Sequence, residues 1–155
     1  MNESNHSTAV AHADASISDD LGLHIGYLVT GLRTRMMQEM DASLAPFGLT
    51  AAQFVILRRI AEGVATTAAE LCRVLEYDTG SMTRMLDRLE EKAVIIRERS
   101  SDDRRVVNIQ LTEQGAQQYP ELRERVRDAL ERRLSSLNAT DLNVLSELLE
   151  RLTKT

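Results

Sequence analysis

The chain has 155 residues, room for one compact domain with a helical extension. Apolar residues make up 43% of it, with no Trp, 2 Phe and 3 Tyr, so the core must come from Leu, Val, Ile, Met and Ala; 2 Pro and 7 Gly complete a helix-favouring usage. A formal net charge of -5 weighs against a non-specific, histone-like nucleic-acid binder, but not against a specific binder that gathers its Arg residues on one surface.

The polar stretch 1–18 carries Glu3 and Asp14 but no Lys or Arg and no apolar run, and reads as a disordered tail, not a secretory signal. Ser18-Asp19-Asp20 then caps a long helix whose stripe is Leu28, Leu32, Met36, Met40 and Leu44, widened by Ile25 and Val29. Gly26 and Gly31 interrupt that stripe and suggest close packing against another helix, and Pro46-Phe47-Gly48 ends it. Thr50 with Gln53 forms a capping box that opens a second helix, carrying Phe54, Leu57, Ile60 and Ala61 inward until Gly63. Thr67 with Glu70 repeats the device for a short helix, about 67 to 76, with Leu71, Val74 and Leu75. A tight turn leads to another helix, about 79 to 92, with Met82, Met85, Leu86 and Leu89 on one side.

The periodicity then changes. Val94-Ile95-Ile96 and Val106 to Leu111 are rich in β-branched residues and flank the polar tip Ser100 to Arg104, which predicts a β-hairpin. Thr112 to Gly115 starts a further helix with Leu122, Val126, Ala129, Leu130 and Leu134. Asn138 to Asp141 caps a last one with Leu142, Leu145, Leu148, Leu149 and Leu152. The reading is mostly α with a small β-hairpin: a single domain over 19–155 in the order α-α-α-α-β-β-α-α.

Two short helices, a turn and a hairpin with a basic tip are the winged helix-turn-helix plan, in which the second helix enters the major groove and the wing reaches the neighbouring backbone or minor groove. Ser81, Arg84 and Arg88 share one face of that second helix, while Thr79, Ser81 and Thr83 place hydroxyls near its start. The opposing reading is a solvated face with the two Arg residues paired to Asp87 and Glu91. At the wing, Arg97 and Arg99 precede the tip and Arg104 and Arg105 follow Asp102-Asp103. An Arg can enter a narrow minor groove if an Asp two residues away restrains its guanidinium. The opposing reading there is a charged loop that keeps an edge strand soluble.

At these residues the chain resembles the MarR family of bacterial regulators. Tyr77 to Lys92 is similar to the family's recognition helix, Ser101 to Gly115 to its Asp-x-Arg wing followed by Leu-Thr-x-x-Gly, and Leu49 to Phe54 to its second helix. The resemblance implies a DNA-binding lobe over about 49–111 flanked by dimerisation helices over about 19–46 and 112–155. It also implies a homodimer on a pseudo-palindromic double-stranded operator, with half-sites about 10 base pairs apart. Asp103 matches the wing Asp and Arg105 the minor-groove Arg; with Arg104 beside them, they join Thr79, Ser81, Thr83, Arg84 and Arg88 as the expected DNA-binding set. Ala93 departs from the family's usual Gly, where a left-handed turn would suit Ala less well.

The family further implies a repressor released by a small aromatic or phenolic acid, for which His24, Tyr27 and Arg58 are candidate ligand-binding residues, each with the alternative of being a surface or interface residue. Cys72, the single cysteine, permits no internal disulfide and reads as a buried inert thiol in a reducing, cytoplasmic setting, not as a redox sensor. The histidines His6, His12 and His24 form no metal-ligand spacing, and no nucleophile has a base. We therefore expect no cofactor, no metal and no enzymatic activity. No stretch approaches the roughly 20 apolar residues of a membrane span. The competing functional classes are a winged-helix module used only for protein contact, and a small helical enzyme.

Overall fold

The computed structural model describes residues 4–101, 103 and 105–154, with side chains from residue 20 onward. The order is α1 (Ser4–Leu44), a 3-10 turn (Ala45–Phe47), α2 (Ala51–Ala61), α3 (Ala68–Leu75), α4 (Thr79–Glu91), β1 (Ile95–Arg99), β2 (Val107–Leu111), α5 (Glu113–Leu134) and α6 (Ala139–Thr153). The tail expected over 1–18 falls on residues whose side chains lie outside the description. No single helix among the described residues is long and apolar enough to cross a membrane.

The chain divides into two compact units, Met1–Met37 and Gln38–Thr155, with α1 supplying residues to both. In the first, Leu21, Leu23, Ile25, Tyr27, Leu28 and Val29 are exposed. The close packing expected at Gly26 and Gly31 is not found among the described residues: a Cβ at either would meet nothing within 4 Å.

In the second unit the helix starts are built locally. Thr50 Oγ1 accepts from Gln53 N at 3.2 Å while Thr50 N donates to Gln53 Oε1 at 3.0 Å, which is how Gln53 tolerates burial at 4% exposure. Thr67 and Glu70 form the same box on α3, and Asn138 and Asp141 on α6. The Glu70 carboxyl is held below the usual carboxylate range, chiefly by the backbone N–H of Thr66. Each apolar face then buries against the others: Phe54, Ile56, Leu57 and Ile60 of α2, Leu71 of α3, Met82, Leu86 and Leu89 of α4, and Leu122, Val126 and Ala129 of α5. Each fully buried aliphatic side chain stabilises by about 1.5–3 kcal/mol. Three assignments change. Ala61, expected inward, is exposed and Ile56 takes the inner position; Cys72, expected buried, is only partly so. Val74 on α3 is also exposed, because that short helix buries only Leu71 completely.

The strands pair antiparallel, with Ile95 opposite Leu111 and Arg99 opposite Val107. The N–H of Ile109 donates to the carbonyl of Thr66 at 2.7 Å, which ties the hairpin to the α2–α3 loop. Between α4 and β1, Ala93 adopts a left-handed φ of 55°. The turn closes with Val94 N donating to Leu89 O at 3.2 Å and Ala93 N to Glu90 O at 2.8 Å, a helix ending usually given to glycine. Across the hairpin, at the start of α5, a Cβ at Gly115 would lie 2.0 Å from the carbonyl oxygen of Val94. Only glycine lets α5 start this close to the strand.

Candidate nucleic-acid interface

Asp78 starts α4 by accepting from Ser81 N at 2.8 Å. Its carboxyl is held below the usual range by hydrogen bonds from the side chain and backbone of Ser81, with a smaller contribution from the charge of Arg84. Met82, Leu86 and Leu89 face the core, which turns Thr79, Thr83, Arg84 and Arg88 outward and leaves Ser81 partly covered. Arg84 Nη2 donates to Ser81 Oγ at 3.1 Å, so the first Arg is oriented by a neutral hydroxyl. Thr83 donates its hydroxyl proton to the Thr79 carbonyl at 2.8 Å, and its oxygen is left as an acceptor. The opposing reading of this face, with Arg84 and Arg88 tied to Asp87 and Glu91, is not what forms. Among the described residues neither Arg has a carboxylate at ion-pair distance, and Asp87 is bonded to Arg97 instead.

Arg97 is the residue whose position sequence reasoning missed. Its place in the sequence is beside the wing tip; its side chain folds back onto α4. The signal was present in the spacing of Asp87 and Glu90, three apart on one helix face, but nothing local names their partner.

At the wing, Asp103 Oδ1 accepts from the backbone N–H of Arg105 at 2.9 Å, and Val106 N donates to Asp103 O at 2.9 Å. The acid therefore closes the turn; among the described residues it does not hold the Arg105 guanidinium, which corrects the expected restraint. Arg105 is exposed. Asp102 and Arg104 lie outside the described residues.

The effector candidates are less well placed. His24 and Tyr27 are exposed on α1 in the first unit. Arg58 in the second is engaged by Glu62, Nε to Oε1 at 2.7 Å, and that bond holds the Glu62 carboxyl below its usual value. Beside Arg58, Phe54 and Tyr119 stack with ring centroids 6.1 Å apart, and burial raises the Tyr119 hydroxyl above its ordinary value. A cavity of about 520 Å³ lies between the end of α1 and α5, lined by Glu39, Ser43, Arg132 and Arg133, with Glu39 and Arg133 paired across it. None of the three candidates lines it. Among the described residues no group of three or more His, Cys, Asp or Glu side chains is placed to hold a metal.

A helix-turn-helix of α3 and α4, buttressed by α2 and followed by a two-stranded wing, defines a winged helix-turn-helix protein. A sequence model of the MarR family matches residues 49–107. The chain is 34% identical over 128 residues to the multiple antibiotic resistance protein MarR of Escherichia coli K12, covering 82% of this chain and 89% of that one. It is also 30% identical over 136 residues to an HTH-type transcriptional repressor of Mycobacterium tuberculosis, covering 88% and 96%. Among solved structures it is similar to a mutant E. coli MarR complexed with operator DNA, at TM-score 0.75 and 32% identity over 83% of this chain and 92% of that one. The chain belongs to the MarR family, a family of DNA-binding transcriptional regulators and not of enzymes.

Proposed function

We propose that the protein is a transcriptional repressor that binds a pseudo-palindromic operator as a homodimer, α4 entering the major groove and the wing the adjacent minor groove. The observation that carries it is the outward face of α4, where Arg84 and Arg88 have no carboxylate partner among the described residues while the apolar half of the same helix is buried. Cations left unpaired on a capped, packed helix are available to base edges and phosphates. Thr79, Ser81 and Thr83 contribute hydroxyls from the same helix start, where backbone N–H groups and the helix dipole favour a phosphate; Asp103, Arg104 and Arg105 form the wing contact.

Dimerisation is supported by α6, which buries no residue within the chain and exposes Val144, Leu148, Leu149 and Leu152. The effector of this reading is a small aromatic or phenolic acid. Its support is the family resemblance together with a cation beside stacked aromatics at Arg58, Phe54 and Tyr119. Such a ligand relieves repression only if it prefers the dimer whose recognition helices are wrongly spaced for the operator.

Selection of bound sequences from random duplex DNA at two salt concentrations tests the reading. Enrichment of a pseudo-palindrome supports it, and weak, salt-erased binding without a motif sinks it in favour of a protein-contact module. Titrating benzoic and hydroxybenzoic acids into the complex with the enriched duplex tests the effector; retention of the DNA at saturating acid would remove that part.

A further inference from the structure

In the second unit, ion pairs among the described residues mostly link neighbours one to four positions apart on a single helix. Arg97 is different: it joins the wing to the recognition helix. Its Nη2 lies 2.5 Å from Asp87 Oδ1 and its Nε 3.5 Å from Glu90 Oε2, while its backbone N–H donates to Glu90 Oε1 at 3.3 Å. Arg97 sits opposite Ile109, whose own N–H points away from β1 to Thr66, so the backbone N–H of Arg97 lies on the outer edge of the hairpin, where no strand can take it. Glu90 takes it instead. The guanidinium is 25% exposed, so these contacts are partly screened from water. A two-stranded hairpin has little stability of its own, and its angle to α4 decides whether Arg105 reaches the minor groove while α4 occupies the major groove.

We propose that Arg97 is the positioning residue that sets the wing against the recognition helix through Asp87 and Glu90, so that operator binding depends on it without its touching DNA. The inference rests on the DNA-reading assignment above. It makes a prediction with an unusual sign. Neutralising an acid beside a DNA-binding face ordinarily strengthens binding by removing repulsion from phosphate. Neutralising Asp87 should weaken it, because the clamp on the wing is lost.

The test uses the duplex enriched from the random pool by the parent protein, with Arg97→Gln, Asp87→Asn and the double variant. Each single change should weaken affinity roughly tenfold, the scale of a charge-assisted hydrogen bond. The double should be no weaker than either alone, since both remove the same clamp. Hydroxyl-radical protection at the wing-contacted flanks should fade while major-groove methylation protection persists. If Arg97→Gln proves unfolded by circular dichroism, Asp87→Asn, an isosteric change at a half-exposed position, carries the test alone. Equal or tighter binding by Asp87→Asn would overturn the inference, as would multiplicative losses or joint fading of both protections. Arg84→Ala and Arg105→Ala on the same duplex separate the two levels. If they weaken binding and the Asp87 and Arg97 variants do not, only the positioning role fails; if they too bind like the parent, the DNA-contact assignment fails and takes this inference with it.

Discussion

Helices α4 and α6 start alike and end differently. Each opens on a side chain that accepts a backbone N–H three residues on, Asp78 for Ser81 and Asn138 for Asp141. Each carries an apolar face. In α4 that face is packed, with Met82 and Leu89 fully covered; in α6 nothing is buried, and Leu152 stands 68% exposed. The cap decides that a helix forms, and it acts within one turn. Whether the apolar face is satisfied depends on distant elements, and among the described residues none covers the α6 face completely. The difference separates a helix whose apolar face is packed and whose polar face is exposed from one whose apolar face is left largely open.

The largest expected effect tests the packed half. Gly115→Ala puts a methyl group against the Val94 carbonyl, with the backbone of the turn and α5 both in the way. It should destabilise the unit by about 3 kcal/mol, read as a lower midpoint in urea unfolding. An unchanged midpoint would mean that α5 can shift freely against β1.

The unpacked half should respond in the opposite manner. Leu148→Glu with Leu152→Glu should leave helix content and thermal unfolding of the monomer close to the parent, because both side chains are exposed within the chain. The same pair should weaken self-association by at least about tenfold, given about 1.5–3 kcal/mol per leucine buried. Sedimentation velocity over a concentration series reads it, and parental association would show that α6 is not the interface.

A smaller and stabilising effect is expected at the end of α4. Ala93 holds φ at 55°, a conformation that costs an L-residue roughly 1 kcal/mol. Ala93→Gly should recover about that amount, less the added flexibility of the unfolded chain. A destabilised variant would mean that the turn is held by its surroundings without strain.

The smallest effect concerns the cap of α3. The Glu70 carboxyl is depressed by its bonds to Thr66 and Thr67. Its contribution is therefore fully present above the ordinary glutamate value and is lost as pH falls through the lowered one. Glu70→Gln should flatten the acid limb of stability against pH in that window, and an unchanged limb would remove the cap from the account.

Much of the fold could be read directly from the chain. The Thr50, Thr67 and Asn138 boxes each announced a helix that is there, and Val107 to Leu111 announced a strand. The outward set Thr79, Thr83, Arg84 and Arg88 follows from the 3.6-residue period with Met82, Leu86 and Leu89 as core. Elsewhere local reasoning met a limit. The choice of Ile56 over Ala61 for the interior depends on which face of α2 meets its neighbours, and the half-covered Cys72 depends on what stands over α3.

What the sequence determined by itself is therefore whatever acts within about one helical turn or one strand: the caps, the element order, the hairpin and the face on which the recognition cations lie. Tertiary structure alone decided the partners of groups far apart in the chain. It gave Arg97 to Asp87 and Glu90 and the N–H of Ile109 to the carbonyl of Thr66. It also held Ala93 in a left-handed turn, because α5 comes so close to Val94 that the path from α4 to β1 has little freedom. A side chain's reach and charge are written in its residue type; the neighbour that answers them is fixed only when the packed elements bring it there.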